Sequence, residues 1–233
     1  IQLGKGWNWI GYTSNQNLEV NDALSNYHPT EDDVIKSQTA FAMYDEQMGW
    51  LGSLDYLAPN KGYMLYVQAP DKLYFPATGL FSVPDGKKGT AGKNPPEAQI
   101  WETDPAAYQH SMSMVAKVTG TKGTMPDIAD YLGVFSDGEC VGVARAKKLK
   151  NSNEPMYFLT AYHNEPTAPI SFRFYDYTGN EVLAIQDTLK FALNAVKGTP
   201  EKPVVLKLGS VLKHVEPVEQ ATEMYPNPFK EEV

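Results

Sequence analysis

One cysteine, Cys140, stands in 233 residues. A lone thiol excludes an intramolecular disulfide, and with it the stapled scaffolds of small secreted domains. Histidine is scarce: His28, His110, His163 and His214 are the only four. None stands in HxxxH or HExxH spacing with another, so no zinc site is legible and no metal is expected. Apolar runs stay far below the roughly 18 residues that a membrane-crossing helix needs, so membrane insertion is not expected. Basic residues are in deficit, 20 Lys and Arg against 28 Asp and Glu, for a formal charge of −8. Nucleic acid requires a basic footprint and is excluded as a partner on that ground; anionic membrane surfaces are disfavoured for the same reason. No GxSxG elbow, P-loop or dinucleotide fingerprint occurs, and no cofactor is expected. Gly86, Gly89 and Gly92 lie in a Gly- and Pro-rich stretch without the strand-then-helix setting that would aim backbone N–H groups at a phosphate. No internal repeat of about 20–50 residues relates the two halves.

What the chain has in quantity is aromatic residues and turn formers: 14 Tyr, 9 Phe, 4 Trp, 18 Gly and 17 Pro. Aromatic side chains suit a pleated, half-buried surface, and Gly and Pro punctuate short strands. WNWIGY (Trp7–Tyr12), AFAMY (Ala40–Tyr44), GWL (Gly49–Leu51) and GYMLYV (Gly62–Val67) read as strands in the first half, and Leu73–Phe75 as another. Val20, Ala23, Leu24 and Tyr27 have helical spacing, and Pro29 lies just beyond, so one short helix is predicted. In the second half, Met112, Met114, Ala116 and Val118 alternate on one face. Asp137-Gly138 between YLGVF and CVGVA marks a hairpin, because both turn positions call for positive φ. MYFLTAY, ISFRFY and PVVLKL complete the set. The stretch at 82–98 is rich in Gly, Pro and Lys and nearly free of large apolar residues, the composition of a linker.

The predicted fold is therefore mostly β, in two consecutive small β modules. An aromatic-rich domain over 1–81 carries the one short helix; the linker follows over 82–98; a second domain over 99–210 is expected to be a β-sandwich, Ig-like or jelly-roll-like; a tail occupies 211–233.

Candidate chemistry is sparse. Trp7, Asn8, Trp9, Trp50, Tyr63 and Tyr66 form the candidate ligand-binding set. Trp7 and Trp9 share a strand face, and the aromatics could form a sugar-stacking platform with Asn8 or Gln38 bonding hydroxyls. The same residues could instead be core, since a domain of about 80 residues needs large side chains to bury enough surface. Glu31, Asp32 and Asp33 could bind calcium or act as paired acids, but the calcium-loop spacing is absent and adjacent side chains diverge. Cys140 reads as a small core residue within CVGVA rather than as a thiol nucleophile. No catalytic residue is assigned.

Three stretches resemble known proteins. Met224–Phe229, MYPNPF, resembles the opening of the C-terminal sorting domain of Bacteroidetes proteins exported by type IX secretion. The run LGKGWNWIGY, with GWLGSLDYLAPNKGYMLYV after it, is similar to a pattern in large surface proteins of the same bacteria. LGVFSDGECVGVARA with ISFRFYDYTGNEV is similar to a β module of that class. The resemblance implies a multidomain parent, secreted or held at the cell surface, in which this piece acts as a non-catalytic binding or adhesion module. The expected partners are a polysaccharide or a host or cell-surface glycan, and other domains of the same parent chain. The alternatives are a structural spacer presenting those domains, and a hydrolase fragment.

Overall fold

The computed structural model describes residues 1–76, 100–120, 126–149 and 154–214. The predicted linker and the MYPNPF segment fall outside the described residues. The fold is mostly β, as expected, with a single short α-helix among the described residues.

The first half contains β1 (Gln2–Leu3), β2 (Gly6–Gly11), β3 (Leu18–Glu19), α1 (Val20–Ala23), β4 (Val34–Lys36), β5 (Phe41–Asp45), β6 (Gly49–Gly52), β7 (Tyr56–Leu57), β8 (Gly62–Val67) and β9 (Asp71–Lys72). Five of these strands form one antiparallel sheet in the order β2-β8-β4-β5-β6. Period-2 alternation splits their side chains between two faces. Ile10, Ile35, Ala42, Trp50, Tyr63, Leu65 and Val67 line one face and pack with Val20, Ala23, Leu24 and Tyr27 around the helix. The helix is only four residues long; Leu24 and Tyr27 pack as expected, but from the turn that follows it. Leu73–Phe75, expected as a strand, is not one. Strand pairing ends with β9 against β1, and Leu73 continues by a backbone bond to Ile1 while its side chain enters the core.

The second half contains a 3-10 turn at Pro105–Ala107, then β10 (His110–Thr119), β11 (Tyr131–Ser136), β12 (Glu139–Lys148), β13 (Pro155–His163), β14 (Pro169–Asp176), β15 (Glu181–Lys190), β16 (Val196–Lys197) and β17 (Val204–His214). Following the hydrogen bonds gives β13-β12-β11-β14-β15-β17-β10, and β10 then pairs back with β13. Seven strands thus close on themselves in a barrel-like sheet, in place of the two separate sheets of the expected sandwich. Strand spacing and turn chemistry are alike in the two architectures, and only the β10–β13 pairing, between strands far apart in sequence, distinguishes them. The parallel strands β16 and β17 occupy successive stretches of one edge of β10. Between them Gly198 takes φ +72°, at a place where a Cβ would come within 2.6 Å of the Val115 carbonyl oxygen. β17 also runs on through Val211–His214, the first residues of the predicted tail, because β15 supplies partners as far as Glu181.

The barrel interior holds Met112, Met114, Ala116 and Val118 on the face the alternation predicted, with Leu132, Val134, Leu159, Phe172 and Phe174. The Asp137-Gly138 turn has φ +49° and +86°, the positive pair a two-residue hairpin requires. Among the described residues two buried hydroxyls, those of Ser113 and Tyr157, have no hydrogen-bond partner, and that of Tyr157 lies inside the barrel. A buried donor without a partner carries a desolvation penalty of about 1–3 kcal/mol. Tyr157→Phe is therefore expected to hold or raise stability, by up to about 1 kcal/mol in urea unfolding. A loss of that size would show that the hydroxyl is bonded.

The two halves are packed together. The sheet face opposite the first core carries Val34, Phe41 and Met43, flanked by Trp7 and Tyr66. These meet Val115, Leu149, Met156 and Phe158 on the barrel. Val115 and Phe158 are register partners on β10 and β13, and their strand neighbours Met114 and Leu159 point inward. The barrel's outer wall is thus apolar where the first half covers it. Phe41 and Phe158 lie 5.9 Å apart, centroid to centroid. At the margins Tyr162 donates to the Gln38 carbonyl at 3.0 Å, and Lys147 bonds the Gly52 carbonyl and the Asp55 carboxylate.

Candidate functional site

The six aromatic and amide residues singled out in the sequence do not form one surface. Trp50 and Tyr63 belong to the first core, on the face away from Trp7 and Trp9. Tyr63 Oη accepts from the Ala58 backbone N–H at 2.8 Å. Asn8 closes the GKGW turn: its Nδ2 donates to the carbonyls of Gly4 at 2.7 Å and Gly6 at 2.9 Å, and its Oδ1 accepts from Gly4 N–H. Trp7 and Tyr66 are register partners packed edge to face at 5.2 Å beside the inter-module contact. Trp9 alone projects into solvent, 78% exposed, from the strand face that looks toward the barrel.

Beside Trp9 lies a cleft of about 480 Å³ between the two halves. The first half supplies Trp9, Lys36, Gln38 and Met64; the second supplies Tyr108, His110, Ser111, Tyr162 and Asn194. Tyr108 and Tyr162 stack at 6.2 Å with 23° between planes. Tyr108 follows the 3-10 turn, whose start is capped by Asp104 accepting from Ala106 N–H at 3.0 Å. Asn194 sits at φ +55°, a conformation Asn tolerates, with its backbone N–H bonded to the Ser111 carbonyl at 3.0 Å. Lys36 reaches across the junction: its Nζ is 3.4 Å from both Ser111 Oγ and Asn194 Oδ1, and 4.7 Å from the Trp7 ring centroid. Burial holds its amine below the usual lysine range. The pattern is that of a small-molecule site, an apolar wall with a few convergent polar groups. Of the lining residues, Trp9 and Gln38 were legible in the sequence, and Tyr63 also borders the cleft although its side chain packs in the first core. Tyr108, His110, Ser111, Tyr162 and Asn194 were not, because only the docking of the halves brings them opposite Trp9.

The groups with catalytic potential are arranged otherwise. His163 Nε2 lies 3.2 Å from Ser136 Oγ, the spacing of a serine–histidine dyad. The polarity is wrong for one. His163 Nδ1 accepts from Glu165 N–H at 2.8 Å, so the ring proton is on Nε2 and is donated to the serine. Ser136 in turn donates to the Pro169 carbonyl at 3.1 Å. A base that donates to its nucleophile cannot take the nucleophile's proton. Cys140 Sγ contacts Thr103 Oγ1 at 3.3 Å and the Gly142 carbonyl at 3.5 Å, neither of which is a base.

Glu31, Asp32 and Asp33 diverge, as adjacent residues must. Asp33 is fully buried and accepts from Tyr27, Thr30 and Gln68. Glu31 instead comes together with Asp45 and Glu201, their oxygens within 4.8 Å of one another. Backbone N–H groups of Glu46, Gln47 and Met48 bond Glu31 and Asp45. Burial, with Asp45, Asp32 and Glu201 nearby, holds the Glu31 carboxyl above its usual range.

Asp130 is the other perturbed carboxyl. Burial pushes it up to about 6, against the lowering effect of N–H bonds from Asp127 and Tyr177. A folded-state value above the unfolded one means that the folded state holds the proton more tightly. The stability Asp130 contributes is then present below pH 4 and lost as pH rises toward 6, by about 2–3 kcal/mol. Unfolding free energies measured from pH 4 to 7 are expected to fall more steeply for the parent chain than for Asp130→Asn, and parallel profiles would refute this.

Compared with protein-family models, curated proteins and solved structures, the chain matches none.

Proposed function

We propose that this chain is a non-catalytic saccharide-binding module of an exported bacterial surface protein, with the saccharide seated in the cleft between its two halves. The observation that carries the reading is Trp9, a large aromatic 78% exposed at the rim of a 480 Å³ cleft that Tyr108 and Tyr162 also line. Leaving an indole in water forgoes the burial that the other aromatics of this sheet obtain, and a sugar face would recover it. Gln38, Ser111 and Asn194 supply the donors and acceptors that hydroxyls require. Location at the cell surface rests on the resemblance of Met224–Phe229 to a sorting-domain opening, and the cleft is independent of it.

Because Trp9 is exposed, Trp9→Ala is expected to change stability by no more than about 0.5 kcal/mol. In a screen against host and dietary polysaccharides, the parent chain is expected to bind a subset saturably and the variant to lose binding at least about tenfold, the worth of one stacked aromatic. Binding unaffected by Trp9→Ala would move the ligand elsewhere. A spacer role is the second reading, favoured by the apolar docking of Phe41 on Phe158, which makes one stiff unit of the two halves. Absence of saccharide binding throughout the screen would favour it.

A further inference from the structure

Lys36 is 5% exposed and lines the cleft, yet its two hydrogen-bond partners, Ser111 and Asn194, are neutral and sit at the long distance of 3.4 Å. Buried ammonium groups ordinarily lie against a carboxylate, because desolvating a charge without a counter-charge is costly. Lys147, at the margin of the same junction, lies against the Asp55 carboxylate although both side chains are partly exposed to solvent. Lys36 has the Trp7 ring instead, which offsets part of the cost. The cleft also holds His110, and none of the residues lining it is Asp or Glu, in a chain with 28 acidic residues. Two other clefts between the halves include Asp32 and Asp55 in their linings; the one beside Trp9 has no acid and holds a buried cation instead.

We infer that the cleft selects a saccharide bearing a carboxylate, with the acid group on Lys36 and the sugar ring against Trp9. This rests on the saccharide-binding reading above and narrows it. The ammonium gains a charge-assisted partner and the carboxylate finds Ser111 and Asn194 Nδ2 within the same wall. The overall charge of −8 does not prevent the approach, because at physiological salt charges beyond about 8 Å are screened.

The test pairs each acid with its neutral counterpart: an oligogalacturonate with its methyl ester, and sialyllactose with lactose. Calorimetry on the whole chain is expected to show one or both acids binding about tenfold or more above the neutral partner, and the pair that responds tells a polyuronate from a sialylated source. Lys36→Met, which keeps the apolar stem, is expected to bring the affinity for each acid down to that of its neutral partner; Lys36→Arg is expected to retain the preference. Equal binding of acid and neutral forms by the parent chain overturns this inference alone and needs no variant. A preference that survives in folded Lys36→Met also overturns it. No binding by any of the four overturns this inference alone; the saccharide reading is overturned only by absence of binding throughout the polysaccharide screen.

Discussion

Replacing Asp33 with alanine is expected to destabilise the chain by about 3–5 kcal/mol, the largest effect of any single polar substitution in the first half. The carboxylate is fully buried and gathers four donors from three residues. Tyr27 donates to Oδ2 at 2.5 Å and Thr30 N–H at 2.9 Å; Thr30 Oγ1 and Gln68 N–H reach Oδ1 at 3.1 and 2.8 Å. These bonds tie the segment after the helix to the entry of β4 and to the exit of β8. Burial and the adjacent carboxylate hold the Tyr27 phenol well above its usual range, so it stays a donor. Alanine takes the acceptor from all four donors, the buried Tyr27 hydroxyl among them, while Asp33→Asn keeps one acceptor oxygen and is expected to lose less. Denaturant unfolding of both variants checks the order. A change below about 1 kcal/mol for alanine would mean that water enters and satisfies the donors.

Phe41→Ala is expected to cost about 3–4 kcal/mol and to loosen the junction between the halves. Phe41 is fully buried, but its contacts are across the junction, with Phe158 and the other apolar residues of the barrel wall. The loss therefore couples to Phe158→Ala, with an interaction of about 0.5–3 kcal/mol in a double-mutant cycle. Hydrogen exchange gives the second readout: faster exchange in both β4–β5 and the β10–β13 wall marks undocking, whereas a change confined to β5 marks only a local cavity. Strict additivity of the two substitutions would contradict the docking.

The elements that the sequence made legible are those whose signals are local. GYMLYV became β8 residue for residue, the Asp-Gly hairpin formed with both φ values positive, and Met112, Met114, Ala116 and Val118 all face the barrel interior. What local pattern could not carry was closure and docking. β4, β5 and β13 are buried on both faces, so their alternation does not report which side is core. The barrel depends on His110–Ala116 finding Tyr157–His163, and no short-range signal encodes that register. The candidate site divides the same way. Trp7 and Trp9 share a face as their spacing implied, but Trp50 and Tyr63 turn to the other side, and Asn8 serves its own turn. Lys36 escaped notice because a lysine in a polar run reads as solvated; only the fold shows it buried against Trp7.

The four tryptophans offer the most direct measurement of the central proposal, because each gives one indole N–H resonance. Trp50 is in the first core, Trp101 packs on Phe135 and Tyr175, Trp7 sits under Lys36, and Trp9 stands at the cleft. Titrating a saccharide identified in the screen into isotopically labelled chain is expected to shift the Trp9 indole signal most, Trp7 less, and Trp50 and Trp101 not at all. Saturable binding that leaves Trp9 unmoved, or that moves Trp101 instead, would contradict a saccharide site in the cleft between the halves.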